Sequence, residues 1–193
     1  MKTFFLAIVT LFVLSANAQT TKWKLDKTHS NVDFIVTHLV VSEVRGTFKD
    51  FEATFVSDKP DFTDMKVEAT IKAASVFTDN ERRDNHLRSN DFFNAEKYPE
   101  IKFKSTSVKK TGDATYDITG DLTIRDVTKS VVLYTKYKGS VDSKGGTRAG
   151  FKATTTIDRF EFGTMWDAKN ETGSFVVSRE VNIELRLVFV KQN

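Results

Sequence analysis

The sequence predicts an all-β protein: an extended eight-stranded antiparallel barrel with one short helix over residues 79–89. Three observations lead to this fold class. Apolar and polar residues alternate along several long segments, and a single polar segment interrupts that alternation. The chain has 193 residues and no cysteine, which suits one domain held together by its core alone. Seventeen Phe against two Pro and nine Gly exclude low-complexity disorder, collagen-like repeats and disulfide scaffolds.

The first eighteen residues predict a cleaved signal peptide. Lys2 supplies a positive start, residues 4–14 form an apolar core, and Ala16-Asn17-Ala18 has the small-x-small pattern of a signal-peptidase site. We expect cleavage after Ala18, export to the periplasm or the medium, and a single domain over residues 19–193. A retained membrane anchor is disfavoured because the apolar run is short for a bilayer. Loss of Lys2 lowers the net charge from +3 to +2, too small and dispersed for a nucleic-acid partner.

The strands follow from period-two alternation, which places one face of each segment in a dry interior. The clearest segments are residues 67–73, 116–124, 149–157 and 181–189, and weaker ones are 32–38, 46–55, 101–105 and 131–137. A change of phase predicts a bulge or bend near Lys49-Asp50. Strands of this length favour a closed barrel, because an open sheet would leave long unpaired edges. A β-sandwich is the structural alternative.

The predicted helix begins with a capping box in Thr78-Asp79-Asn80-Glu81, with Thr78 as the N-cap and Glu81 reaching back to it. It continues through Ser89 and is mostly polar. We predict a lid over one barrel mouth, with three apolar side chains facing inward: Leu87, Phe92 and Phe93.

The lid carries the best polar candidates for function: Arg82, Arg83, His86 and Arg88. These side chains either receive a polar or anionic head group or form ion pairs with Glu81, Asp84 and Asp91 that hold the lid in place. His38 closes an apolar inward series, and it either hydrogen-bonds within the barrel or meets a polar atom of a ligand.

The inward positions predict a ligand-binding lumen. Bulky and small residues mix there, so the interior either contains an elongated void or is filled by the Phe rings. The predicted lining consists of Phe34, Val36, His38, Phe48, Phe55, Val67, Ala69, Ile71, Leu87, Phe92, Phe93, Phe103, Leu122, Ile124, Leu133, Phe151 and Ala153. The predicted head-group or lid scaffold consists of Arg83, His86 and Arg88.

Catalysis finds little support in the sequence, and we predict no catalytic residue, no metal and no cofactor. The chain has no nucleophile elbow, P-loop, dinucleotide-binding fingerprint or zinc-protease motif. His29 and His38 are nine positions apart, on opposite faces of a continuous strand, and therefore share a metal poorly.

The chain resembles the YceI-like family of secreted, lipocalin-like isoprenoid-binding proteins over residues 23–190. The resemblance rests on a series of motifs in one order: Trp23-x-Leu25-Asp26-x-x-His29-Ser30, Phe34-x-Val36-x-His38, Gly46-x-Phe48, Glu81-Arg82-Arg83-Asp84-Asn85-His86-Leu87-Arg88-Ser89-Asn90-Asp91-Phe92-Phe93, Tyr98-Pro99, Ile101-x-Phe103-x-Ser105 and Gly120-x-Leu122-Thr123-Ile124-Arg125-x-Val127-Thr128-Lys129. Asp126 stands where the family usually has Gly, and Asp tolerates a left-handed turn there.

The resemblance implies an extended eight-stranded barrel that binds a long amphiphile, such as a polyprenyl chain or an isoprenoid quinone, without covalent attachment. It implies a polar scaffold of His29, Arg83, Asp84, His86 and Asp91. The expected partners are the lipid and, transiently, a membrane; the oligomeric state stays open, a homodimer included. Two alternatives remain: a lipid-modifying hydrolase or isomerase at the His86 and Arg88 mouth, and a filled barrel that serves only as an interaction module.

Overall fold

A computed structural model describes residues 20–192, which form one antiparallel sheet and one short α-helix. The predicted signal peptide over residues 1–18 lies outside the described residues. Within 20–192 the strands are β1 (Thr21–Leu25), β2 (Asn31–His38), β3 (Ser42–Phe48), β4 (Phe51–Ser57), β5 (Lys66–Lys72), β6 (Val76–Phe77), β7 (Glu100–Gly112), β8 (Thr115–Ile124), β9 (Val127–Ser143), β10 (Gly146–Asp158) and β11 (Val177–Lys191). The helix α1 spans Glu81–Arg88.

These segments build a closed barrel of eight long strands. We call each long strand a stave; three of the staves are interrupted and consist of two strands each, namely β1 and β2, β3 and β4, and β5 and β6. β1 and β2 are two parts of one stave, interrupted by a 3₁₀ turn at Lys27–His29, and β5 and β6 are likewise separated by a 3₁₀ turn at Ala73–Ser75. β1 pairs with β4 and β2 with β3, while β5 pairs with β4 and β6 with β3. β7 to β11 then follow as continuous neighbours. The eight-stranded antiparallel barrel is confirmed, and the sandwich alternative is wrong.

The last strand closes the ring. One edge of β11 pairs with β10 over its length, and its other edge pairs first with β2 and then with β1. Because every stave has two neighbours, the backbone groups that an open sheet would expose are paired. The closed ring encloses an interior with two ends: aromatic side chains fill one end, and α1 lies at the other.

The break between β3 and β4 lies at Lys49 and Asp50, where the sequence predicts a bend. Phe48 and Phe51 are both buried on either side of it. Two residues outside the ladder shift the side-chain alternation by one position, so that both halves of the stave keep their Phe side chains inside.

The helix is capped differently from the prediction. Asn80, not Thr78, is the N-cap, and its side-chain oxygen accepts a hydrogen bond from the Arg83 backbone N–H at 3.0 Å. The Thr78 N–H and hydroxyl both donate to the Asp84 carboxylate, at 2.8 and 2.6 Å. The Thr78 hydroxyl also accepts a hydrogen bond from Arg83 Nε, so it is already occupied as an acceptor, and the next competent side chain, Asn80, caps the helix.

An aromatic plug fills the end of the barrel opposite to α1. Its members are Trp23, Phe55, Phe62, Tyr137, Phe151 and Phe189. Phe62 comes from the loop between β4 and β5, and its ring lies 5.7 Å from that of Phe55 and 5.6 Å from that of Phe151. The plug blocks this end, and what remains of the interior opens toward α1.

Candidate functional site

A cavity of about 850 Å³ occupies the interior between the aromatic plug and α1. Its volume lies in the range of known small-molecule sites. Its wall consists of inward-facing side chains from the staves, most of them Val, Leu, Ile and Phe. The sheet alternation therefore produces an apolar tube that is blind at the plug and polar at the other end, the mouth, which is formed by α1, the β2–β3 turn and the loop after β10.

Most of the predicted lumen residues line this cavity. The structure brings together Phe34, Val36, His38, Phe48, Val67, Ala69, Ile71, Leu87, Phe92, Phe93, Phe103, Leu122, Ile124 and Leu133. Val67, Ala69 and Ile71 are only half-buried although they face inward, because open space rather than another side chain lies in front of them.

Three predicted lining residues, Phe55, Phe151 and Ala153, do not reach the cavity. Phe55 is 1% exposed and Phe151 is 6% exposed, both within the plug, and the inward Ala153 is enclosed next to them at 3%. Alternation assigns a side chain to a face of the sheet but not to a depth along the barrel axis. The interior is thus filled at one end and hollow at the other, which combines the two interpretations that the sequence left open.

The Arg88 side chain belongs to the lid scaffold and is absent from the cavity wall. Its Nε donates to the Ala74 carbonyl oxygen at 2.8 Å and its Nη2 to the Val76 carbonyl oxygen at 3.0 Å. Its Nη1 donates to the Asn85 side-chain oxygen at 2.9 Å. These three hydrogen bonds tether α1 to the β5–β6 segment, and Arg88, unlike Arg83, does not line the cavity.

Arg83 lines the cavity and also holds the lid. Its Nε donates to the Thr78 hydroxyl and its Nη2 to the Thr78 carbonyl oxygen, both at 2.8 Å. Asp84 accepts its hydrogen bonds from Thr78 as well. The lid is therefore pinned by carbonyl, hydroxyl and carboxylate acceptors. Of the ion pairs that the sequence offered as an alternative, the structure of residues 20–192 contains His86–Asp91, at 2.8 Å.

His86 sits in an aromatic setting at the mouth. Its ring meets those of Phe92 and Trp166 edge-on, with centroids 5.1 and 5.4 Å away. Its Nε2 lies 2.8 Å from an Asp91 carboxylate oxygen, which fixes the ring orientation. Aromatic rings packed edge-on against an oriented imidazole suit a ligand whose end is polar and whose body is apolar.

Arg159, Thr164 and Trp166 also line the mouth, although they are not among the residues predicted from the sequence. A signal for Arg159 was present, because the inward positions 151, 153, 155 and 157 of β10 extend in the same alternation to 159. Thr164 and Trp166 lie in the irregular loop that follows, where periodicity gives no face.

The Arg159 guanidinium is buried, with 6% of the residue exposed. Its Nε, Nη1 and Nη2 donate to four backbone carbonyl oxygens, those of Ser178 at 2.9 Å, Thr164 at 2.7 Å, Trp166 at 2.8 Å and Val177 at 3.2 Å. Burial lowers the pKa of the guanidinium, while the neighbouring Asp158 raises it. The group stays charged because arginine is protonated throughout the accessible pH range. It gives the mouth a fixed positive charge.

His38 lines the cavity at the end of β2, where it pairs with Val177 on one side and with Ser42 on the other. Its side chain is partly exposed. The structure thus places His38 at the mouth, near the position where a polar end of a ligand would lie, and not deep within the tube.

Residues 20–192 hold no group of three or more His, Cys, Asp or Glu side chains placed to bind a metal ion. In the same described range no helix has the length and apolar character needed to cross a membrane.

Comparison with known proteins gives a consistent family relationship. The YceI-like domain profile matches residues 23–189. An UPF0312 protein of Pseudomonas putida is 40% identical over 190 residues, which cover 97% of this chain and 95% of the relative. The crystal structure of a YCEI protein of Campylobacter jejuni superposes with a TM-score of 0.69 at 34% identity, over 81% of this chain and 90% of that chain. A polyisoprenoid binding domain of Saccharophagus degradans shares the fold, with a TM-score of 0.65 at 14% identity over 88% of this chain and 98% of that chain.

Proposed function

Because this chain belongs to the YceI-like family, we propose that it binds a long-chain amphiphilic lipid of isoprenoid type in the barrel and sequesters or ferries it. The cavity carries the proposal: it is a largely apolar tube, blind at the plug, whose cationic side chains Arg82, Arg83 and Arg159 lie at the mouth. The related fold of a polyisoprenoid binding domain supports the choice of an isoprenoid among long-chain lipids.

The energetics favour such a cargo. Each methylene group moved from water into the tube contributes about 0.8 kcal/mol, so the chain supplies most of the binding free energy. The polar contacts at the mouth then orient the lipid. We expect broad affinity across related chains and weaker discrimination among head groups.

The volume of the cavity sets a scale for the cargo. A water-sized group occupies about 30 Å³ in a liquid, so 850 Å³ accommodates on the order of 28 non-hydrogen atoms. This corresponds to about five or six isoprene units of five carbons each. A longer chain would have to leave its remainder outside the mouth.

The orientation follows from the asymmetry of the tube. The apolar chain lies toward the aromatic plug, and the head group lies at the mouth beside Arg82, His86 and Arg159. Arg82 is exposed, whereas Arg159 is buried, so the two present positive charge at different depths. A phosphate, a carboxylate or a quinone oxygen is complementary to this end.

We propose that the protein acts outside the cytoplasm, in the periplasm or the surrounding medium. This follows from the signal peptide predicted over residues 1–18 and its cleavage after Ala18. In an aqueous compartment beside a membrane, a soluble carrier is a route by which a water-insoluble chain leaves a bilayer. Amino-terminal sequencing of the exported protein tests this location: a mature chain that starts at Gln19 is expected.

Organic extraction of the protein from its native host, followed by mass spectrometry, tests the cargo directly. We expect an intact isoprenoid-type lipid in stoichiometric amount. Ala69→Trp places an indole in the tube and is expected to lower lipid occupancy at least several-fold, because the added ring displaces the chain. Glu68→Trp, at the adjacent exposed position of β5, is the matched control and should retain the lipid.

Two results would overturn the proposal. One is the absence of lipid from the native protein together with no binding on titration. The other is equal occupancy in the folded Ala69→Trp and Glu68→Trp variants, which would place the ligand elsewhere. Recovery of a chemically altered lipid, with turnover lost in His86→Ala, would instead support the enzyme alternative.

A further inference from the structure

The turn between β2 and β3 exposes three consecutive apolar side chains. Leu39 is 41% exposed, Val40 is 65% exposed and Val41 is 87% exposed. Such residues are usually scattered singly on a soluble surface, and three together at the tip of a hairpin form a local apolar projection. We call residues 39–41 the apolar tip.

The backbone of the apolar tip is strained. Leu39 and Val40 have φ angles of +50° and +67°, in the left-handed region that glycine and asparagine favour. A β-branched valine is especially disfavoured there. Strain of this kind persists where the surrounding structure over-determines it, and it is concentrated at functional sites.

Hydrogen bonds hold the tip in this conformation. The Leu39 N–H donates to the Val176 carbonyl oxygen at 2.8 Å, which ties the tip to the loop before β11. The Ser42 hydroxyl donates to the His38 carbonyl oxygen at 3.1 Å and closes the turn. The three side chains are therefore presented outward by a fixed turn, not by a loose loop.

The apolar tip lies at the rim of the cavity. The residues around it, Val36, His38, Val44 and Val176, all line the cavity. An apolar surface thus continues from the outside of the tip to the wall of the tube, without a charged side chain within residues 39–41.

We propose that the apolar tip inserts into the surface of a phospholipid bilayer and places the cavity mouth against it, so that a lipid chain passes between bilayer and barrel. This inference rests on the proposed function for the identity of the cargo. A bilayer is favoured over a protein partner because stable protein interfaces use about 20–30 residues a side, and three side chains are far fewer. Binding at a membrane surface scales with the apolar area that enters the headgroup and acyl boundary, and the apolar tip supplies such area without a matching partner surface.

The test measures partition of the purified protein onto vesicles of pure phosphatidylcholine, whose neutral surface removes electrostatic attraction as a cause. Val40→Asp is expected to reduce the partition coefficient about tenfold or more, since a carboxylate resists transfer into the bilayer. Val141→Asp is the matched control: Val141 is 62% exposed in β9, at the plug end of the barrel, and its replacement should leave partition unchanged.

Val40→Asn separates folding from docking. Asparagine suits the left-handed backbone, so this variant should unfold at the same temperature as the wild type or higher, yet bind vesicles more weakly. Equal partition of the wild type, Val40→Asp and Val141→Asp would overturn the proposal, and so would a wild-type protein that stays off the vesicles.

A second arm distinguishes this inference from the proposed function. A fluorescent polyprenyl probe delivered from a dilute ethanol stock, without vesicles, should bind the wild type and Val40→Asp alike. Binding of that probe without vesicle partition would refute membrane docking and leave the proposed cargo supported. Val40-dependent vesicle partition without probe binding would support docking and refute the cargo.

Discussion

Phe55→Ala tests whether the aromatic plug and the cavity wall are two different parts of one interior. Phe55 is 1% exposed, and its ring packs against Trp23, Phe62, Phe151 and Phe189 at centroid distances of 5.4, 5.7, 5.8 and 4.9 Å. Truncation in such surroundings removes the transfer free energy of the ring and leaves a void that its neighbours fill only in part. We expect a loss of about 4 kcal/mol in the free energy of unfolding.

For a domain of this size that loss lowers the unfolding temperature by about 8–16 °C. Phe34→Ala provides the comparison, because the Phe34 ring borders the cavity and no rigid void forms when it is removed. Only the transfer term is lost there, about 2 kcal/mol, which corresponds to about 4–8 °C. Thermal unfolding followed by circular dichroism in the absence of lipid measures both values.

Equal losses of stability in the two variants would refute this expectation, because the plug would then pack no more tightly than the wall. A second readout is the longest chain that the protein retains. Phe55→Ala opens the blind end and should shift the retained lipids toward longer chains, while Phe34→Ala widens the tube without lengthening it.

Two further predictions concern stability. A Cβ at Gly120 would lie 2.6 Å from a backbone carbonyl oxygen of the neighbouring strand, so Gly120→Ala should lower the free energy of unfolding in urea by about 1–3 kcal/mol. At Gly46 the added Cβ would meet the Phe34 ring, which can move into the cavity, so Gly46→Ala should lower the free energy of unfolding less. A larger loss in Gly46→Ala would contradict this. The hydrogen bond from Arg179 lowers the pKa of Asp158 below its ordinary 3.8, so the stability that this carboxylate contributes is present above that pH and is lost as the pH falls through the folded-state pKa. Asp158→Asn should therefore be less stable than the wild type at pH 7, and the gap in unfolding temperature should narrow below about pH 4; a gap constant from pH 7 to 3 would disagree.

Alternation along the chain predicted the fold because a closed barrel imposes the same rule on every stave. Val67, Ala69 and Ile71 had to face one way once Glu68 and Thr70 faced the other. The bend at Lys49-Asp50 was equally readable, since two buried Phe series of opposite phase demand a break between them.

Depth along the barrel axis was not readable from the sequence. Phe55 and Phe34 obey the same alternation, yet one fills the plug and the other lines the cavity. The difference arises from Phe62, which a surface loop inserts across the end of the barrel with a φ angle of +57°. The periodicity of the local sequence does not predict a long-range contact of this kind.

The side-chain hydrogen bonds at the mouth could not be predicted from local sequence patterns either. Thr78 was predicted to cap α1, but the Asp84 carboxylate binds it instead. The turn between β8 and β9 shows the same effect: the positive φ angle falls on Arg125, not on Asp126, and the Arg125 guanidinium reaches the Gly163 carbonyl oxygen at 2.6 Å. In each case a distant acceptor decides a local conformation.

The seam between β1 and β11 has a consequence for the order in which the protein matures. Trp23 pairs with Lys191, so the ring is joined by the first and last strands of the described chain. Contacts between residues so far apart in the sequence form late, because closing the long intervening loop costs conformational entropy before the strand pairing stabilises it. Until β11 has been synthesised and has docked, the barrel is an open sheet without an enclosed tube. We therefore expect that cargo loading begins only after β11 has been synthesised and has docked against β1 and β2.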